Sequence, residues 1–157
     1  MNFKSNFFII FFIFIILGDS SFSSDFGITG LFDTPTARMN KDGTFSTTIS
    51  KHMRDFKGKK TFNEENMRMI DTYNLTYQAS PWLETTFRYS TFHEYDLFDR
   101  SWDFKIKIIE EGKTNPELAL GVRDAIGTGA FTSEYIVTNK KVGDFDFSLG
   151  LGWGRMA

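Results

Sequence analysis

The stretch "DFDFSLGLGWGRMA" (144–157) decides the fold. Phe145, Phe147, Leu149, Leu151 and Trp153 take alternate positions, and Asp144, Asp146, Ser148, Gly150, Gly152 and Gly154 fill those between. Successive side chains of a β-strand point to opposite faces, so this is a strand with one apolar face and one small or polar face.

The same alternation recurs upstream. In 44–52, Phe45, Thr47 and Ile49 oppose Thr44, Ser46, Thr48 and Ser50. In 71–80, Tyr73, Leu75, Tyr77 and Ala79 oppose Thr72, Asn74, Thr76 and Gln78. In 83–90, Leu83, Thr85, Phe87 and Tyr89 oppose Glu84, Thr86, Arg88 and Ser90. In 101–111, Trp102, Phe104, Ile106 and Ile108 oppose Asp103, Lys105 and Lys107. In 117–124, Leu118, Leu120 and Val122 oppose Ala119, Gly121 and Arg123. The segment 130–141 is less regular, with Tyr135 and Val137 opposite Glu134 and Thr138. With the closing stretch, seven strands are expected. Short turn signals follow the second, fourth and sixth: "SP" (80–81), "GKTNP" (112–116) and "VGD" (142–144). Longer connections, 53–68, 93–99 and 125–129, follow the others.

Short turns at one end and longer loops at the other mark an all-β, antiparallel, up-and-down transmembrane barrel. Strands of this length suit a tilted crossing of the bilayer. The alternation by itself also admits a secreted soluble β-barrel that binds a small apolar or sugar ligand. The choice depends on which face is outside. In the membrane form Glu84, Arg88, Asp103, Lys105, Lys107 and Arg123 are the lumen-facing candidates, with Glu134 assigned to the same polar face. Tyr73, Trp82, Tyr89, Trp102 and Trp153, with Phe92, are the candidates for aromatic girdles at the membrane interfaces.

The N-terminus is a separate object. Lys4 precedes the apolar run "FFIIFFIFIILG" (7–18), and the small polar "DSSFSS" (19–24) follows. This reads as a secretory signal peptide, too short for a comfortable membrane-spanning helix, with an uncleaved N-terminal anchor as the alternative. Residues 1–24 are therefore expected to be removed on export. Residues 25–43, with "TPTAR" and "NKDG", are expected to form an extended segment, and 44–157 the barrel portion. The reading leaves open whether 26–43 enters the lumen or meets a periplasmic partner.

Composition bounds the chemistry. Lys+Arg number 18 against 20 Asp+Glu, a net charge of -2, so there is no basic face for nucleic acid. The absence of Cys rules out disulfides, thiolate metal sites and lipid attachment through a cysteine. His52 and His93 are the two histidines. His93-Glu94 lacks the second His of a helical zinc motif. Ser50 lies two residues before His52 on one face, but no acid partner for a hydrolytic triad is evident. "GTG" (127–129) is followed by a strand, not the helix a phosphate cradle needs. "RDFKGKK" (54–60) is a basic run suited to solvent or to an acidic polymer. No catalytic residue, metal or cofactor is expected, and the chain is read as a non-enzyme.

Four blocks resemble one known family: "FGITGLFDTPTARMNKDGTF" (26–45), "QASPWLETTFRY" (78–89), "FDRSWDFKIKIIEEG" (98–112) and "LALGVRDAIGTGAFTSEYIVTNKKVGDFDFSLGLGWGR" (118–155). They look like the N-terminal part of the YjbH/GfcD family. The resemblance implies a bacterial outer-membrane β-barrel linked to exopolysaccharide and capsule production. It further implies outer-membrane lipid, polysaccharide and other export proteins as partners, in a Gram-negative outer membrane. Family members are several times longer, so these residues are expected to be an incomplete barrel. Some members are lipoproteins, from which this chain departs in having no Cys. The lumen charges are read first as pairs that brace the barrel wall; the alternative is a passage or binding surface for hydroxyl-rich, often anionic sugar chains, for which charge reversal at Lys105 and Lys107 is expected to impair polymer secretion.

Overall fold

The computed structural model describes Ser24 and residues 26–55, 67–93 and 97–155. The signal peptide read at 1–24 therefore lies outside the described residues except for Ser24, as do most of the connection 53–68 and Glu94. All regular structure among the described residues is β.

Two two-residue strands, β1 (Gly30–Leu31) and β2 (Thr34–Pro35), form a small hairpin in the N-terminal segment. Seven long strands follow: β3 (Phe45–Asp55), β4 (Met67–Ser80), β5 (Leu83–Phe92), β6 (Leu97–Ile109), β7 (Glu117–Ile126), β8 (Ser133–Val142) and β9 (Phe145–Gly154). They pair in chain order, all antiparallel, as one seven-stranded sheet curled into a half-barrel. The expected count, order and turns are all observed, while some ends move. β4 begins at Met67 and β3 runs to Asp55, so the basic run starts within a strand. Leu97–Asp99, expected in a loop, open β6.

The two faces are inverted relative to a water-soluble protein. The concave face buries polar side chains: Thr72, Asn74, Thr76 and Gln78 on β4, and Glu84, Thr86, Arg88 and Ser90 on β5. On the convex face Ile49 is 71 % exposed, Leu149 74 % and Leu151 71 %. The buried apolar cluster is small. It joins Phe26, Ile28 and Ala37 of the N-terminal segment to Ile70, Phe92, Ala119, Phe131, Tyr135 and Val137 of the sheet and its loops.

Two expectations about facing are corrected. In β8 the concave face carries Ser133, Tyr135, Val137 and Asn139, while Glu134 is exposed on the other side. Tyr135 fits inside because its partner across the ladder is Gly121, where a Cβ would come within 2.0 Å of the ring. Glu134 instead accepts a short hydrogen bond from the indole N–H of Trp153, its cross-strand neighbour. Phe92 also points inward and stacks on Phe131 with ring centroids 6.0 Å apart.

Register shifts occur between Gln78 and Ser80, between Lys107 and Ile109, and, with the largest consequence, between Trp102 and Phe104, where β6 pairs with β7. Asp124, at the slip on β7, has φ of 53°, a left-handed conformation that short polar side chains tolerate best. Arg123 and Asp124 are consequently both buried. Asp124 N donates to Asp103 Oδ1 at 2.7 Å, and Asp124 Oδ2 accepts from Phe131 N at 2.9 Å.

Candidate functional site

The chemistry of this chain is concentrated on the concave face, where residues 26–40 lie against β4 to β9. The contacts fall into three tiers along the strands.

In the middle tier, Glu84 and Lys105 are opposite each other on β5 and β6 and are each 0 % exposed. Lys105 Nζ lies 3.1 Å from Glu84 Oε1 and donates to two backbone carbonyls of the segment, Thr29 O at 3.1 Å and Arg38 O at 2.8 Å. Glu84 accepts from Thr29 N at 2.9 Å and, in a short bond, from the Thr29 hydroxyl. Thr76 donates to Gly27 O at 2.7 Å. Gly27 adopts φ of 83°, and a Cβ there would lie 2.5 Å from that of Asn74, so only glycine lets the segment approach this closely.

Toward the short turns, Arg38 is clamped by carboxylates. It contacts Glu111 at 2.7 Å, Glu117 at 2.6 Å and Asp146 at 2.8 Å. These hydrogen bonds, that of Asp146 foremost, raise the Arg38 guanidinium above its ordinary value. The Lys141 backbone N–H and then Arg38 hold the Glu111 carboxyl below its own. Ala37 N donates to Asn139 Oδ1 at 2.7 Å, and Asn40 N to Gln78 Oε1 at 3.2 Å. Lys107 Nζ lies 3.7 Å from Glu117 in the same network.

Toward the longer loops, Arg88 sits between Phe26 and Phe131, its guanidinium carbon 5.2 and 4.7 Å from the ring centroids. Asp99 at 3.8 Å and Asp103 at 3.7 Å neutralise it without hydrogen-bond contact. Arg123 lies 4.0 Å from the Phe26 ring and donates to Asp33 O at 3.2 Å.

All six polar candidates, Glu84, Arg88, Asp103, Lys105, Lys107 and Arg123, thus occupy the concave face. Lys105 takes part in a paired, bracing arrangement rather than lining an open surface. Its contacts go to Glu84 and to the segment's own backbone, so the pair fastens an internal strap. The aromatic candidates lie on the convex face, with Tyr73, Trp82, Trp102 and Trp153 exposed and Tyr89 half-buried. Tyr73 pairs with Tyr89 across the ladder, and Phe87 with Trp102 at 5.2 Å between centroids. Ser50 pairs with Thr72 and His52 with Ile70, but the His52 side chain lies outside the described residues. His93 Nε2 contacts Asp71 Oδ2 at 2.7 Å, beside Lys51 at 3.6 Å, in an exposed cluster near the longer loops. Among the described residues no three His, Asp or Glu side chains are grouped to hold a metal.

Several participants were not singled out in the sequence. Asn74, Thr76, Gln78 and Thr86 were legible as the polar phase of their strands. Thr29, Arg38 and Asn139 carry no periodic signal that distinguishes them.

Comparison with known proteins identifies the family. The family described as "Exopolysaccharide biosynthesis protein YbjH" matches residues 22–157. The "Uncharacterized lipoprotein YjbH" of Escherichia coli (strain K12) is 38 % identical over 145 residues. That match covers 85 % of this chain and 19 % of the relative, so the chain spans about one fifth of the relative's length. No solved structure matches. The chain belongs to the YjbH family of exopolysaccharide biosynthesis proteins.

Proposed function

We propose that this chain forms part of the wall and an internal plug of an outer-membrane β-barrel that assists exopolysaccharide export without catalysis. The observation that carries the reading is the inverted burial. A half-barrel that buries Glu84, Arg88 and Lys105 and turns Leu149 and Leu151 outward is built for a solvent that is apolar outside. The dimensions agree. Arg100 on β6 and Glu110 just past its end bracket Trp102, Phe104, Ile106 and Ile108. Ten residue steps at about 3.4 Å, tilted by roughly 40°, give a band about 26 Å tall, close to the apolar belt of such barrels. The secreted soluble barrel has the opposite preference, since it would leave this face in water. The signal peptide read at 1–24 supplies the export route, and the family supplies the polymer.

The test is fractionation of source cells, with boiled and unboiled samples probed by an antibody to residues 53–68. The expected result is an outer-membrane band whose mobility shifts on heating, together with loss of secreted polysaccharide when the gene is deleted. A detergent-independent band in the soluble fraction would overturn the membrane reading. Unchanged secretion in the deletion strain would overturn the export role.

A further inference from the structure

The concave face is polar along most of β4 and β5 and changes character at one end. On β4 the polar row from Gln78 to Thr72 gives way to Ile70, and on β5 the row from Glu84 to Ser90 gives way to Phe92. Ile70 and Phe92 are partners across the ladder, at the end nearest the longer loops. Two more rings join them. Phe131, from the connection between β7 and β8, stacks on Phe92, and Phe26, at the start of the strap, meets Phe131 edge-on with centroids 6.3 Å apart. All four side chains are buried. A polar interior thus carries an apolar cap at one mouth, directly over Arg88 and its carboxylate neighbours Asp99 and Asp103.

The connection that supplies Phe131 is built as a lid. Phe131 is the one residue of 125–132 that is buried. The backbone is left-handed at Asp124, where the connection leaves β7, with φ of 53°, and again at Gly129, with φ of 77°. A non-glycine residue in that region is costly, and it persists only where its surroundings hold it. Two carboxylates of the wall do the holding. Asp124 Oδ2 accepts from Phe131 N at 2.9 Å, and Asp99 Oδ1 accepts a short hydrogen bond from the Thr128 hydroxyl. One buried ring and two side-chain latches therefore fix an otherwise exposed loop, which is the low-stability end of a fold.

We propose that this cap is a hydrophobic gate at the longer-loop mouth and that residues 125–132 are its moving part. With Phe131 inside, an apolar constriction excludes water and ions by dewetting. With Phe131 outside, the polar level around Ser90 and Arg88 is open to the medium. The inference rests on the barrel reading and adds a closure at the outer end, separate from the strap farther in.

The test is labelling of intact cells with a membrane-impermeant maleimide. The full-length protein carries Ser90→Cys, just inside the cap, and the parent without that change is the blank. The expected result is slow labelling with the wild-type lid. Phe131→Ser should speed it at least roughly tenfold, the worth of burying the ring. Phe131→Leu, which stays apolar, should label nearly as slowly as the wild type. Thr128→Val keeps the ring and removes one latch, and should speed labelling several-fold. Thr86→Cys, beneath the strap, should stay unlabelled throughout. Equal rates at Ser90→Cys with the wild-type lid, Phe131→Ser and Thr128→Val would overturn the gate. An equal gain at Thr86→Cys would also overturn it, because the whole wall would then have loosened. The barrel reading is decided separately, by heat-shifted mobility of the same variants in the outer-membrane fraction.

Discussion

Glu84 and Lys105 are both fully buried, and their worth depends on each other and on Thr29. A buried ion pair stabilises little relative to an apolar pair of the same shape, but removing one partner strands a charge. Lys105→Met should therefore cost about 3–5 kcal/mol. The double variant Glu84→Gln, Lys105→Met should recover much of that, as urea midpoints of the heat-shifted band would record. If the single and double variants unfold alike, the pair is not the fastening it is taken to be. Gly27→Ala should loosen the segment by about 1–3 kcal/mol, because the backbone is left-handed there and Asn74 blocks the added methyl. The Arg38 clamp should respond to pH. The Glu111 carboxyl is held below its ordinary 4.5, so its contribution is complete above that pH and is lost as pH falls through the lowered value. The protection factors of the Ala37 and Lys141 amides, with the pH dependence of free-amide exchange divided out, should fall on acidification below 4.5 and stay constant above it.

Each long strand is a two-sided object, and β9 makes the sharpest test of which side meets what. Leu149 lies in the middle of its convex row, between Phe147 and Leu151. In a bilayer, Leu149→Arg should destabilise by about 2–4 kcal/mol. On a water-exposed surface the same change should stay within about 0.5 kcal/mol. Refolding into phospholipid vesicles, followed by denaturant titration, separates the two. The glycines of the opposite row serve another end, since they leave room beside the hairpin. Gly121 does the same for Tyr135, and a strand pattern that ignores the neighbouring strand cannot anticipate it.

The assembled half-barrel is held from within as much as by its ladders. Thr29, Ala37 and Arg38 bond to β5, β6, β8 and β9 together. Deleting residues 26–40 from the full-length protein should uncover the charged wall and widen the lumen. The expected outcome is raised cell sensitivity to bulky hydrophilic antibiotics that the intact outer membrane excludes. Unaltered sensitivity, with the variant folded and in the membrane, would mean that the segment does not obstruct the lumen.

The strands, their order and most of their facing could be read from the residues themselves, because alternation is local and each short turn carries its own Gly, Pro, Asn or Asp. Family membership was equally legible, in long blocks such as 118–155. The tertiary structure alone decided three things. It placed 26–40 on the concave face, which no periodicity encodes, because an extended segment without alternating faces is positioned only by its partners. It turned Tyr135 and Val137 inward and Glu134 outward, because space at Gly121 and the indole of Trp153 outweighed the simple rule of apolar outside. And it converted Lys105 from a wall charge into a fastening, because a buried ammonium takes whatever carbonyls and carboxylates come within reach, and the strap brought two carbonyls to it.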